Sequence, residues 1–249
     1  MWISLPQDVL DYIRGAFVAA NDRASVVLTR NPSMHEEGLD QQLITRLDEY
    51  GSRILPGSGS AVAIETHWLG GRRHFYSWEI ADICVAVVVR RSGMAPVRKV
   101  ALLQSKRLYS NEITVKEEDR ADYLIGISRL IVRDEPAKSL TAQRTFTFSK
   151  SSLYGALVAH GDQTGRIDQY INHRKIPVYY AFYNPVRIPI ASVVPRVSSD
   201  PDEVLANGLG CRVLTSIDVH AALAKLNKGT RPSFAQIARS CPPDEQDPY

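Results

Sequence analysis

The residues with the clearest chemical potential are one acid inside an apolar run and three polar residues ending the next. Asp82 interrupts Glu79 to Val89 (EIADICVAVVV), and Gln104-Ser105-Lys106 closes Lys99 to Lys106 (KVALLQSK). Both runs are too continuously apolar for half-exposed strands, so they read as strands covered on both faces. A buried Asp is costly unless it is paired, hydrogen-bonded or bound to metal. The Asp82 carboxylate and the Gln104 side-chain carbonyl are both oxygen donors. Hard cations such as Mg²⁺ (or Mn²⁺) take oxygen donors, a few from protein and the rest from water and phosphate. A lysine beside such an ion can orient or deprotonate the attacking water and offset phosphate charge. Asp, then Gln-x-Lys, is a workable set for cleaving phosphodiesters. The plainer reading is a buried Asp82–Lys106 ion pair with Gln104 capping an edge.

The elements that must position these residues follow from the pattern. Arg90 to Arg98, with Gly93 and Pro96, supplies the turn between the two strands. Alternation puts Gln104 and Lys106 on one face, and antiparallel pairing brings Asp82 toward them. Upstream, Leu5 to Thr29 has helical spacing of Val9, Tyr12, Ile13, Ala16 and Ala20, with Ser4 or Asp8 as cap. Asn31-Pro32-Ser33 breaks that helix. His35 to Tyr50 is the second, with Ser33 and Glu36 at capping-box spacing. Glu36 falls near the centre of the face carrying Leu39, Leu43, Ile44 and Leu47, with Asp40 close to it and Glu37 nearer the margin. A metal site would recruit Glu36 or Glu37 as an extra ligand. Acids that merely complement the helix dipole give the same pattern.

Ala61 to Leu69 and Arg72 to Trp78 read as a hairpin turning at Gly70-Gly71. Arg72 and Arg73 at its tip are either solvated or in contact with phosphate. Arg107 and Tyr109, just past Lys106, are placed to grip a nucleotide backbone and stack a base. Further helices are expected over Lys116 to Val132, Ser151 to Ala159, Gln163 to Arg174, Ser216 or Asp218 to Leu226, and Phe234 to Arg239. Gln163 or Gln169 is placed to touch the site. Further strands are expected over Thr145 to Phe148, Ile176 to Tyr183 and Cys211 to Thr215, with Ile188 to Val194 as loop or edge strand. Pro242 to Tyr249 reads as a disordered tail.

Composition narrows the classes. With 249 residues, 44% hydrophobic and 23% charged, the chain can form one sizeable α/β core. The expected organisation is an N-terminal helix over 1–30, a core over 31–190 and an appendage over 191–249. A net charge of +3 is compatible with nucleic acid. Cys84, Cys211 and Cys241 are widely spaced, which implies no disulfide framework and fits a reducing cytoplasm. There is no HExxH, no P-loop and no GxSxG elbow. No run reaches the length of a membrane span, and no signal-peptide layout is expected.

The order of helix with Glu36, hairpin, strand with Asp82, strand ending Gln104-Ser105-Lys106, then helix and strand resembles the restriction-endonuclease-like PD-(D/E)XK nucleases. The matching span is roughly Glu36 to Tyr183, in the D…QxK variant similar to Mrr-type and anti-phage effector nuclease domains. Ile80-Ala81 stands where the family name has proline. The resemblance implies a central mixed β-sheet flanked by α-helices and a divalent metal, Mg²⁺ or Mn²⁺. Asp82, Gln104 and Glu36 (or Glu37) would be its ligands, and Lys106 would activate water or stabilise charge. Gln in place of the second acid leaves one fewer negative charge for a second metal. The implied activity is low-specificity cleavage of DNA, double-stranded by default, in bacterial defence. Such a nuclease needs restraint, so a regulatory protein partner or a homo-oligomer is expected. The alternative is a non-catalytic interaction or scaffold subunit that keeps the fold.

Overall fold

The β-branched runs become a sheet, and the amphipathic segments cover it. The computed structural model of the chain describes residues 4–70, 74–75, 78–110, 144–194 and 209–240. In chain order the elements are α1 (Gln7–Arg30), α2 (Glu36–Asp48), β1 (Ser52–Leu55), β2 (Ser60–Trp68), β3 (His74–Phe75), β4 (Trp78–Glu79), β5 (Ile83–Arg90), β6 (Val97–Arg107), β7 (Arg144–Phe148), α3 (Asp162–Arg174), β8 (Val178–Tyr183), β9 (Ile190–Val194), β10 (Arg212–Thr215), α4 (Ser216–Ala224) and α5 (Phe234–Ser240). The helix expected over Lys116 to Val132, the cations Arg72 and Arg73, and the Pro242 to Tyr249 tail lie outside the described residues.

The fold is mixed α/β. Six strands form one sheet in the order β1-β2-β5-β6-β8-β10. Every neighbouring pair is antiparallel except β6 and β8, which run parallel. A parallel pair needs a crossover, and α3 lies in the long connection that makes it. Two short two-stranded sheets, β3-β4 and β7-β9, accompany the main one. β10 comes from the span that reads as an appendage in the sequence, yet it is an edge strand of the main sheet.

Register defines two faces. Val62, Ile64, Ile83, Val85, Val89 and Leu103 share one and are buried. Val9 of α1 packs there with Leu55, Val62 and Val89. Leu39, Leu43 and Leu47 of α2 join the larger cluster on the same side. Cys84, Ala86, Val88 and Arg90 point to the other face, with Arg98, Val100, Leu102 and Gln104 of β6. There α3 and α4 cover β8 and β10. His220 of α4 links them: its Nδ1 is 2.9 Å from Asp168 of α3 and its Nε2 is 3.0 Å from the Tyr180 hydroxyl of β8.

Three local expectations are corrected. The hairpin read over Ala61 to Leu69 and Arg72 to Trp78 is replaced by other pairings: β2 lies between β1 and β5, and β3 pairs with β4 in a separate small sheet. Ser151 to Ala159 is a series of turns and bridges. Apart from a turn in which Leu157 N–H donates to Tyr154, its backbone bonds to distant chain: Tyr109 N–H donates to Leu153, Tyr154 N–H to Pro232, and Ala159 N–H to Thr230. Neither α1 nor α2 has a side-chain N-cap. Ser33 donates to Asn31 Oδ1 at 2.8 Å, and His35 occupies the α2 cap position. Among the described residues no helix is long and apolar enough to cross a membrane.

Candidate active site

The β5–β6 ladder sets the first contact. Ile83 pairs with Leu103, and Asp82 N–H donates to the Leu103 carbonyl at 2.8 Å. Asp82 therefore meets Gln104 at the start of β5. Its Oδ2 accepts from Gln104 Nε2 at 2.5 Å and from Ser105 N–H at 2.6 Å. Lys106, two residues along β6, lies on the Gln104 face. Glu36 opens α2 on the opposite side of the sheet and reaches around the strand ends. Its Oε2 accepts from Arg107 N–H at 2.8 Å, and its Oε1 lies 3.7 Å from Lys106 Nζ. Asp82, Gln104, Lys106 and Glu36 thus come together. Glu37 is exposed and forms no hydrogen bond or ion pair with these residues.

A second layer was not singled out by sequence reasoning. Asp40, one helical turn after Glu36, accepts from Ser105 Oγ at 2.5 Å and from Tyr183 Oη at 2.7 Å. It is 1% exposed. The available signal was its position close to the apolar face of α2, together with the alternation that turns Ser105 toward that helix. Gln163 of α3 does reach the site. Its Nε2 donates to Gln104 Oε1 at 3.1 Å and to the Glu79 carbonyl at 3.2 Å. Gln169 lies elsewhere, accepting from Arg166 at 3.1 Å.

Electrostatics sets this cluster apart from an ordinary ion pair. Burial pushes Asp82 up to about 7, opposed by Lys106 and reinforced by Asp40. Burial likewise pushes Asp40 up to about 7, opposed by its bonds from Ser105 and Tyr183. Glu36 is also raised by burial, against Lys106. Three carboxyls thus lie within electrostatic reach of one ammonium, with Asp82 and Asp40 buried and Glu36 partly so. A divalent cation would relieve that excess. Both hydrogen bonds to Asp82 fall on Oδ2, which leaves Oδ1 as a ligand atom, and the residues fit a cation on that ground. Among the described residues no three of His, Cys, Asp and Glu gather as a complete metal cage. The remaining oxygens would come from Gln104, water and phosphate.

The cluster is not an open rim: Asp82 is 8%, Gln104 2% and Lys106 3% exposed, and the Glu36 side chain is the most accessible at 21%. Gln104 also turns its NH₂ toward Asp82, so its carbonyl can face a cation there only if the amide rotates. Arg107 is corrected outright. It is 1% exposed, and its guanidinium donates to the Pro32 carbonyl at 2.8 Å and to the Met34 carbonyl. It fastens the α1–α2 connection to the end of β6 and is withdrawn from any nucleotide. The Tyr109 ring faces that guanidinium, 4.1 Å from ring centroid to Cζ, so this ring face is occupied. No protein-family model, curated protein or solved structure matches the chain.

Proposed function

We propose that the chain is a Mg²⁺- or Mn²⁺-dependent phosphodiesterase acting on duplex DNA. In this reading it is a low-specificity endonuclease of bacterial anti-phage defence, cytoplasmic and restrained by a partner or by self-association. The observation that supports it is the convergence of Asp82, Gln104, Lys106 and Glu36 at the ends of β5 and β6, with more acid than base. When bound, the cation supplies Lewis-acid charge at the phosphate and lowers the pKa of its water. The chain's own residues do the rest. Asp82 Oδ1 and Glu36 Oε1 present negative charge. Ser105 N–H holds Asp82 in place, and Arg107 N–H holds Glu36. The Lys106 ammonium donates hydrogen bonds to the attacking water and to a phosphate oxygen, stabilising charge as it builds.

A scaffold role is the second reading. It is favoured by the closure of the cluster and by the Gln104 NH₂ turned toward Asp82. Nicking of supercoiled plasmid separates the two. Mg²⁺-dependent nicking that falls by roughly 10²-fold or more in Lys106→Ala, with the melting curve retained, supports the enzyme. No nicking by wild type, alone or with candidate partners, supports the scaffold.

A further inference from the structure

The cations expected to hold nucleic acid are buried or lie outside the described residues, but other exposed cations gather at the far end of the same strand. Arg90 and Arg91 end β5 and open the turn, and Arg98 and Lys99 begin β6; all four are exposed. Arg174 ends α3, and Lys175 follows in the left-handed conformation at φ 58°, both exposed. None of these six forms an ion pair with another described residue.

Two elements connect this basic end to the acid cluster. On β6, Arg98, Val100, Leu102 and Gln104 share one face, and six residues at about 3.3 Å each give roughly 20 Å. α3 runs beside it. Its Gln163 contacts Gln104, and three residues past Lys175 comes Val178, the pairing partner of Leu102. Thirteen helical residues also span about 20 Å. Glu65 is the only acid that β2, β5 and β6 present on this face between the hairpin and Asp82. The floor is made of small or half-buried side chains, Cys84, Ala86, Val88 and Ala63.

We propose that the hairpin end carrying Arg90 and Arg98, with Arg174 and Lys175 on the segment that leads back to β6, is a docking surface for the phosphate backbone of duplex DNA. The proposal deepens the nuclease reading and rests on it for where the scissile phosphate lies. At 3.4 Å per base pair, the contact falls about six base pairs from the Asp82–Gln104–Lys106 cluster. Charge complementarity selects the occupant: unpaired arginines and lysines at a spacing that a continuous polyanion can span.

Fluorescence anisotropy with a duplex of about 20 base pairs in EDTA tests binding without cleavage. Arg90→Glu/Arg98→Glu should weaken affinity about tenfold and lower the slope of log K against log salt by about 2, near 0.9 per lost phosphate contact. Arg14→Glu/Arg30→Glu, an equal charge change on α1 across the sheet, should move affinity by less than about threefold. The milder Arg90→Gln/Arg98→Gln should fall between wild type and the reversal. Equal losses in both reversal variants would reduce the effect to net charge and overturn the docking surface. So would a wild type that ignores duplex DNA, which leaves the patch to an acidic protein. A wild type that binds through this patch yet never nicks with Mg²⁺ sinks the nuclease reading and keeps the surface. Nicking with unchanged affinity in Arg90→Glu/Arg98→Glu does the reverse.

Discussion

Replacing Asp82 with Asn separates what this acid does for stability from what it does for chemistry. The side chain is 8% exposed, and its Oδ2 accepts from Gln104 and from Ser105 N–H. An amide oxygen can accept both bonds, so shape and hydrogen bonding carry over and the charge goes. Burial raises Asp82 from 3.8 to about 7. The folded state then holds the proton more tightly than the unfolded chain. The stability that this gives is complete below about pH 4 and is lost as pH rises through about 7. Between pH 5 and pH 8 the wild type passes through about two units of that window, worth roughly 3 kcal/mol at 1.36 kcal/mol per unit. Asn has nothing to lose there. Urea unfolding in EDTA, run on both proteins at about pH 5 and about pH 8, gives a difference of differences that cancels any fixed effect of the amide. The advantage of Asp82→Asn should grow by about 3 kcal/mol over that range. Mg²⁺ at the higher pH should then stabilise wild type in proportion to its occupancy and leave Asp82→Asn unmoved. An advantage that is the same at both pH values, or equal Mg²⁺ stabilisation of both proteins, refutes the reasoning.

Arg107→Ala should cost roughly 3 kcal/mol in urea unfolding, from two charge-assisted bonds at about 1.5 kcal/mol each, and leave duplex affinity per folded molecule unchanged. Gln163→Leu removes the donor that holds the Gln104 carbonyl away from Asp82; a lost bond of about 1 kcal/mol should tighten Mg²⁺ binding about fivefold by calorimetry. Asp40→Asn keeps an acceptor for Ser105 and Tyr183 and should stay within about 1 kcal/mol of wild type, whereas Asp40→Leu strands two buried hydroxyls and should cost about 3 kcal/mol or more. Ca²⁺, tested by anisotropy, should tighten duplex binding by wild type and only screen it in Asp82→Asn, since the coupling needs the acid.

The central strands were legible because β5, β6 and β8 are apolar and β-branched beyond any helical reading. Their register follows from one hairpin, which is why Asp82 and Gln104 could be placed together from spacing alone. Burial was less legible. Alternation says that Lys106 and Arg107 face opposite ways, but it does not say that the Pro32 and Met34 carbonyls wait for the guanidinium. Ser151 to Ala159 has ordinary helical composition; its backbone is claimed by residues 108–109 and 230–235, contacts that no local pattern records. Asp40 was visible near the apolar face of its helix. Its two hydroxyl partners come from β6 and β8, 65 and 143 residues away, and only the folded sheet brings them in.

The two ends of β6 pose opposite electrostatic problems, and a polyanion cannot answer both alone. Exposed arginines at the hairpin attract phosphate through water, where screening softens every contact. Buried carboxyls at the other end repel phosphate at short range, where little screening acts. A duplex drawn along the strand would therefore stall short of Lys106 unless positive charge enters with it. Protons can supply that charge below about pH 7, since Asp82 and Asp40 both hold them there. Above it, a divalent ion would supply the charge instead. A sheet built for stability alone would hold apolar side chains at these positions, which removes the repulsion entirely. Retaining three acids around Lys106 is a local cost that makes physical sense when a cation and a phosphate complete the cluster.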